Sequence, residues 1–381
     1  MLELRPYQND AVKQTLDSLI TSDEPTLLVA SVGSGKSVII ATVCRELERK
    51  EKRILCLVNS SELVRNNAKT YEEQGGSPSI FCSTLNEKCI DNPVIFATPQ
   101  SVISAIKSNA PISQIKFNLI VVDEAHGINF LNEKTIFMRI LRHYKHLYLP
   151  MRLLGLTGTP FRGKGDSIVG DNALFKKTVG NIDTPWLIDN GYLVRPTFGY
   201  HEITGFDFSG CKIQNTGEFK GSDLQAVIDK NYRLTGEILI EAQSIMDNRQ
   251  GAFVFCSTIQ HCHEALGALP DTARLIVGDT PDKERHEILT DAREGRVKFL
   301  VSVNCLMVGV DVPLFDTIIW LRPTSSLVLY VQGIGRGLRL YEGKSNCLVL
   351  DYAGNLDRFA DFDNSLINEA LQPVKENQDE H

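Results

Sequence analysis

Residues 26–40 read TLLVASVGSGKSVII. The run 26–30 is apolar on both alternating faces, as a strand buried from both sides must be, and the apolar stretch after residue 36 has the period of a helix. Between them lies a polar loop with Gly33 and Gly35. Glycines let the backbone curl until successive N–H groups face inward, and a helix N-terminus directly behind adds its dipole, so strand, loop and helix together make a cradle for phosphate. Ser34 lies inside that loop. Lys36 would reach the β and γ phosphates of a nucleotide and Ser37 would ligate Mg²⁺. Ala30 stands where the usual loop has its first glycine, and the strand–loop–helix context carries the reading despite it.

Working outward, short runs rich in Val, Ile and Leu recur at 53–58, 93–97, 118–122 and 152–156, with amphipathic stretches such as 60–74 between them. Strands alternating with helices predict a parallel sheet in a doubly wound α/β domain. The pattern returns at 251–256, 273–277, 297–303, 316–321 and 346–350. The expected fold is therefore α/β, with two tandem doubly wound domains: 1–194, 195–356 with an insertion near 205–228, and an acidic tail over 357–381. The insertion is expected because 205–222 is glycine-rich, polar and aperiodic.

Composition narrows the function classes. The 381 residues are 43% hydrophobic and 23% charged, suited to ordinary cores. The longest apolar runs are strand-sized, far below the roughly 18 residues of a membrane span, and the N-terminus lacks a signal-peptide pattern; a cytoplasmic protein without membrane contact is expected. Nine cysteines form no CxxC pair, so neither a disulfide framework nor a zinc ribbon is expected, and the cluster His261, Cys262, His263 has no second ligand pair. Net charge is −7 from 40 basic and 47 acidic residues, with the acidic excess in the second half. Bulk positive charge cannot drive nucleic-acid binding here, but a local groove of backbone amides and a few cations can.

The strand 118–122 delivers Asp123, Glu124, Ala125 and His126. Carboxylates at a strand end meet metal: Asp123 would hold the Mg²⁺ shell, while Glu124, one residue on, would polarise the attacking water.

With GSGKS, the string DEAH resembles superfamily 2 helicases and translocases, and further blocks match in that family's order. LRPYQ (4–8) resembles the adenine-reading segment, which implies Gln8 on the adenine edge and Arg5 on its face. VNSSELVRN (58–66) and ATPQS (97–101) resemble loops that hold a nucleic-acid backbone, and LTGTPFR (156–162) resembles the segment coupling hydrolysis to strand binding. FCSTIQHCHEAL (255–266), VSVNCLMVGVDVP (301–313) and QGIGRGLR (332–339) resemble the later blocks. The resemblance implies two RecA-like domains with the ATP site in the cleft between them. Gly309, Asp311 and Gln332 would contact the nucleotide. Arg336 and Arg339, three residues apart and expected on one helix face, would stabilise charge on the transferred phosphoryl group. It further implies coupling through His126, Thr157 and Thr159. Strand contacts would come from Ser60, Thr98, Ser257 and Thr258, with Arg65 and Arg162 as cations.

Several strings, among them LIDNGYLVRP, VGDTP, LRPTSS and LDYAGN, resemble the bacterial RadD group of DNA-repair helicases, related to XPB-like proteins. That resemblance implies a monomeric Mg-ATP-dependent DNA helicase or translocase acting on single-stranded, forked or duplex DNA, with repair or recombination proteins as partners. RadD proteins continue past DYAGN into a cysteine-bearing zinc module; here 26 residues, acidic on balance and without cysteine, follow. Three other readings stay open: a type I or III restriction motor subunit, for which the sequence carries no PD(D/E)xK nuclease pattern, an RNA helicase, and a nucleotide-dependent DNA clamp that does not hydrolyse.

Overall fold

The computed structural model describes residues 2–162, 166–214, 218–303 and 310–360, and the chain divides into two units, Met1–Asp183 and Thr184–His381. The acidic tail beyond 360 and Gly309 lie outside the described residues, as does the side chain of Arg162. No described helix is long and apolar enough to cross a membrane.

In the first unit the expected strands are present as β1 (Thr26–Ala30), β2 (Ile54–Leu57), β5 (Val94–Ala97), β6 (Leu119–Asp123) and β7 (Arg152–Thr157). They are joined by β3 (Ser79–Cys82), β4 (Glu87–Lys88) and β10 (Lys177–Ile182), in the order β10-β1-β7-β6-β2-β5-β3-β4. Only the β3–β4 pair is antiparallel in this sheet. A ribbon of β8 (Phe161–Arg162) and β9 (Asp166–Ser167) stands apart. The helices are α1 (Pro6–Thr21), α2 (Lys36–Glu48), α3 (Ser61–Glu73), α4 (Pro99–Lys107) and α5 (Ile136–Leu147). Every residue of β1, β2, β5 and β6 is buried, which is why these strands read as unbroken apolar runs. β10 escaped that reading because it is an edge strand with half-exposed positions. Register then decides where chemistry collects. Val29 pairs with Thr157 and Asp123 with Leu156, so β1, β7 and β6 end side by side.

The second unit carries β11 (Arg195–Phe198), β12 (Ala252–Cys256), β13 (Ala273–Leu275), β14 (Phe299–Ser302), β15 (Thr317–Leu321) and β16 (Asn346–Asp351), all parallel, in the order β11-β16-β15-β12-β14-β13. Its helices are α6 (Thr184–Asp189), α7 (Gly221–Lys230), α8 (Leu234–Ile245), α9 (Ile259–Ala268), α10 (Asp282–Arg293), α11 (Leu327–Arg336) and α12 (Asn355–Phe359). The expected domain boundary after 194 falls instead after Asp183, because the Val194 N–H donates to Leu338 O at 2.8 Å and Leu193 bridges Arg339. β11 tolerates Pro196 because it forms the sheet edge.

Trp320 on β15 is fully buried, 4.6 Å from Phe255 and 5.1 Å from Tyr330 between ring centroids. Burying an aromatic of this size stabilises by roughly 2–3 kcal/mol. It also fixes the seat of α11: a Cβ at Gly333 would stand 2.6 Å from Trp320 Cζ2, and one at Gly337 would collide with Cys347 Sγ. Two glycines four residues apart thus let the start and end of QGIGRG lie directly on the sheet.

Candidate nucleotide and strand-binding sites

The loop after β1 takes the conformation its glycines allow. Gly33 and Gly35 have φ of 84° and 82°, and Gly35 caps α2, so that Lys36 and Ser37 open the helix. The loop is tied from behind: Tyr7 Oη and Gln8 Nε2 of α1 donate to Ser34 O at 3.0 and 2.9 Å. Gln8 Oε1 accepts from the Arg5 N–H at 3.0 Å, and Arg5 Nη1 donates to Tyr7 Oη at 3.3 Å. The LRPYQ segment therefore builds the loop itself, whatever it offers a base. The Ser34 hydroxyl is buried with no hydrogen-bond partner among the described residues, as a group meant for a ligand oxygen would be.

The adjacent ends of β6 and β7 supply the rest. Lys36 Nζ lies 3.1 Å from Glu124 Oε1. His126 Nδ1 lies 2.8 Å from Thr157 Oγ1, 3.2 Å from Thr159 Oγ1 and 3.4 Å from Glu124 Oε2. The four elements expected to hold nucleotide and couple its hydrolysis are thus one hydrogen-bonded network. Glu124 adopts φ 53°, ψ 52°, a left-handed conformation uncommon outside glycine, and such strain clusters at functional sites. Asp123 is 5% exposed and accepts from Asn67 Nδ2 at 3.1 Å and from the Glu124 N–H at 2.9 Å. Burial, and then the charge of Glu124, push its carboxyl up to about 6, against the pull of Lys36 and these hydrogen bonds. Two adjacent carboxylates facing one ammonium are short of positive charge. Asp123 and Ser37 supply hard oxygen donors, which fits Mg²⁺. Among the described residues no cluster of three His, Cys, Asp or Glu could cage a metal, so phosphate oxygens and water would complete the shell.

Asn67 was not anticipated. It occupies the buried stripe Val64, Asn67, Ala68, Tyr71 of α3, and an amide within an apolar stripe is the signal that could have found it, since buried polar groups need partners.

In the second unit Arg336 is 8% exposed and its Nη1 donates to Val310 O at 3.0 Å; Arg339 Nη1 donates to the same oxygen at 3.3 Å and pairs with Asp311 Oδ1. The two arginines converge, but not through a shared helix face. α11 ends at Arg336, Gly337 caps it, and Arg339 lies on the extended stretch that pairs with Leu193. Gln332 is buried one turn before Arg336. Lys344 Nζ donates to Pro313 O and Phe315 O at 2.9 and 2.6 Å, pinning the segment that carries Val310 and Asp311; burial lowers its ammonium to about 8.

The hydroxyls expected to grip a strand also have partners within the protein. Ser60 Oγ caps α3 by accepting from the Leu63 N–H at 3.2 Å. Thr98 Oγ1 lies 2.8 Å from Ser101 Oγ. Ser257 Oγ donates to Leu321 O at 3.1 Å, and Thr258 caps α9 while donating to Gln225 Oε1. What these positions offer a phosphate is backbone N–H at helix starts. Arg65 is exposed on α3.

A phosphate-loop lobe followed by a second parallel-sheet lobe bearing paired arginines defines a core of two RecA-like domains. Residues 1–162 match the family model of the type III restriction enzyme res subunit, and 234–341 match the helicase conserved C-terminal domain. Both halves of the chain are thus similar to superfamily 2 helicase-type proteins. It is 28% identical over 372 residues to irc3 of Schizosaccharomyces pombe, assigned as a mitochondrial ATP-dependent helicase, covering 94% of this chain and 58% of that protein. A fragment assigned as the HsdR subunit of a type I restriction enzyme from Vibrio vulnificus YJ016 superposes with a TM-score of 0.69 at 22% identity, over 94% of this chain and 66% of that one. The type ISP restriction-modification enzyme LlaBIII, solved bound to DNA, gives 0.64 at 17% identity, over 91% and 27%. The chain spans 58%, 64% and 51% of the lengths of three curated relatives it matches.

Proposed function

We propose that the chain is the motor of an ATP-dependent DNA helicase or translocase. The observation that carries this reading is the network of Lys36, Asp123, Glu124, His126, Thr157 and Thr159, which joins a phosphate cradle to a water-activating carboxylate and a coupling segment. In it Lys36 binds the β and γ phosphates, and Glu124, released from Lys36, orients and polarises the attacking water. Bound Mg²⁺, held by Ser37 and Asp123, would neutralise charge between the phosphates. His126 holds Thr157 and Thr159 and so passes the state of Glu124 to the segment running into β8. Arg336 and Arg339 supply the cations that phosphoryl transfer calls for. DNA is favoured over RNA by the resemblance to restriction motors, one of them solved on DNA, and the RadD-like strings support work in DNA repair. The match of residues 1–162 to a restriction subunit favours a second reading, the motor portion of a DNA-restricting assembly.

The test is phosphate release by wild type and Glu124→Gln, titrated with single-stranded, duplex and forked DNA and with RNA. Wild type should be stimulated by DNA, and the variant should lose roughly 10²–10⁴-fold in kcat, the range of a positioned base, while still binding nucleotide. Equal rates for the two proteins would make the chain a nucleotide-dependent clamp, and stimulation by RNA alone would remove the DNA assignment.

A further inference from the structure

The strand-binding reading uses Ser257 and Thr258 and leaves the surface beside them without a role. α7 and α8 are both fastened to the first turn of α9. Thr258 Oγ1 donates to Gln225 Oε1, Gln260 Nε2 donates to Asp229 Oδ1 at 3.3 Å, and Thr235 Oγ1 lies 3.2 Å from His261 Nε2. The residues joining α7 to α8 are therefore held next to the N-terminal turn of α9. Their backbone is tied as well: the Asn231 N–H donates to Ile228 O at 2.9 Å, Asn231 Nδ2 to Val227 O at 2.8 Å, and the Leu234 N–H to Asn231 O at 2.8 Å.

This tied turn holds a large ring out in water. Tyr232 is 68% exposed, and the Arg233 guanidinium carbon lies 5.4 Å from its ring centroid. Exposed Lys230 precedes it, and Ile259, the first residue of α9, is 52% exposed. A lone exposed aromatic needs no explanation. An aromatic carrying an arginine on its face, on a braced turn, beside amides suited to phosphate, is the combination that single strands bind: bases stack on the ring and cations follow the backbone.

We propose that Tyr232, with Arg233, is a stacking platform for one unpaired base of a strand whose backbone lies at the N-terminal turn of α9. The inference rests on the strand-binding reading and adds to it a contact with the bases. Stacking tolerates any base, so the platform raises affinity for unpaired strands without selecting a sequence.

The test measures binding of the full chain to a labelled thymidine oligonucleotide and to a strand of equal length made of abasic sites. Wild type should bind the base-bearing strand at least about fivefold more tightly, the lower end expected of one stacked base. Tyr232→Ala should lose that preference and Tyr232→Trp should keep it. Both variants should retain wild-type melting temperature and DNA-free ATPase activity, because the ring packs against no core. Tyr232→Ala keeping the full preference, or wild type showing none, overturns the platform while leaving the motor reading intact. Failure of wild type to bind either strand overturns the strand-binding reading together with the platform.

Discussion

The two units handle charge in opposite ways. The first brings together groups that repel: Asp123 and Glu124, adjacent in sequence, lie near one ammonium, Lys36, and burial, followed by the charge of Glu124, raises the Asp123 carboxyl. The second stores cations at rest, with Arg336 and Arg339 on the Val310 carbonyl and Arg339 also on Asp311. Their glycines differ as well. Gly33 and Gly35 supply backbone angles, whereas Gly333 and Gly337 supply closeness to Trp320 and Cys347. One lobe is built to receive an anion. The other gathers positive charge at one point.

The largest expected effect separates these roles. Arg339→Ala removes a contact that matters only once charge develops, so kcat should fall by roughly 10³-fold or more while the nucleotide dissociation constant stays within a few-fold. Lys36→Ala removes a ground-state phosphate contact and should weaken nucleotide binding itself. Equilibrium binding of a labelled ATP analogue beside single-turnover hydrolysis distinguishes the two. If both variants lose binding alike, the division of labour is wrong. Arg339 is the better probe than Arg336, whose burial adds a folding cost to its removal.

The glycine contrast sharpens the comparison further. At Gly333 an added methyl meets the edge of a fully buried indole that cannot retreat, so Gly333→Ala should destabilise by about 1–3 kcal/mol, the usual cost of overpacking. At Gly35 the methyl meets only the end of the Gln8 side chain, and the strain is that of φ 82°, about 1–2 kcal/mol. Gly35→Ala should therefore cost less stability and more nucleotide affinity than Gly333→Ala, as urea unfolding and analogue binding on the same preparations would report. Equal profiles would erase the distinction between conformational and packing glycines.

How much of this was legible in the sequence follows from the same difference. Central strands and the phosphate loop declare themselves locally, through continuous apolar runs and glycine spacing, and the order of β1, β7 and β6 does the rest. Edge strands β10 and β11 were missed because solvent on one side breaks the apolar run. Arg336 and Arg339 were expected on one helix face, but α11 ends at Arg336, since its end depends on Gly337 lying against Cys347 and on the Leu338 carbonyl pairing with Val194. The hydroxyls expected to contact a strand have a second role that the sequence does not separate from the first. Ser and Thr at helix starts satisfy the first N–H groups whether or not a ligand is near.

A further contrast is between two histidines. His126 sits in the nucleotide network, bonded to Thr157 and Thr159. His261 is fully buried: its Nδ1 accepts from the Ser257 N–H at 3.3 Å, so Nε2 carries the proton toward Thr235 Oγ1. Burial lowers its pKa from 6.5 to about 4. The unfolded chain thus binds a proton that the folded unit refuses; the stability this contributes is present above pH 6.5 and is lost as pH falls from there toward 4. Between pH 7 and pH 5 the loss is about 2 kcal/mol. The chain has two tryptophans, Trp186 and Trp320, both in the second unit, so selectively excited tryptophan fluorescence in urea reports that unit. His261→Gln, which keeps an acceptor for Ser257, should flatten the dependence of the urea midpoint on pH. Parallel curves for variant and wild type would show that acid acts on the second unit through some other group.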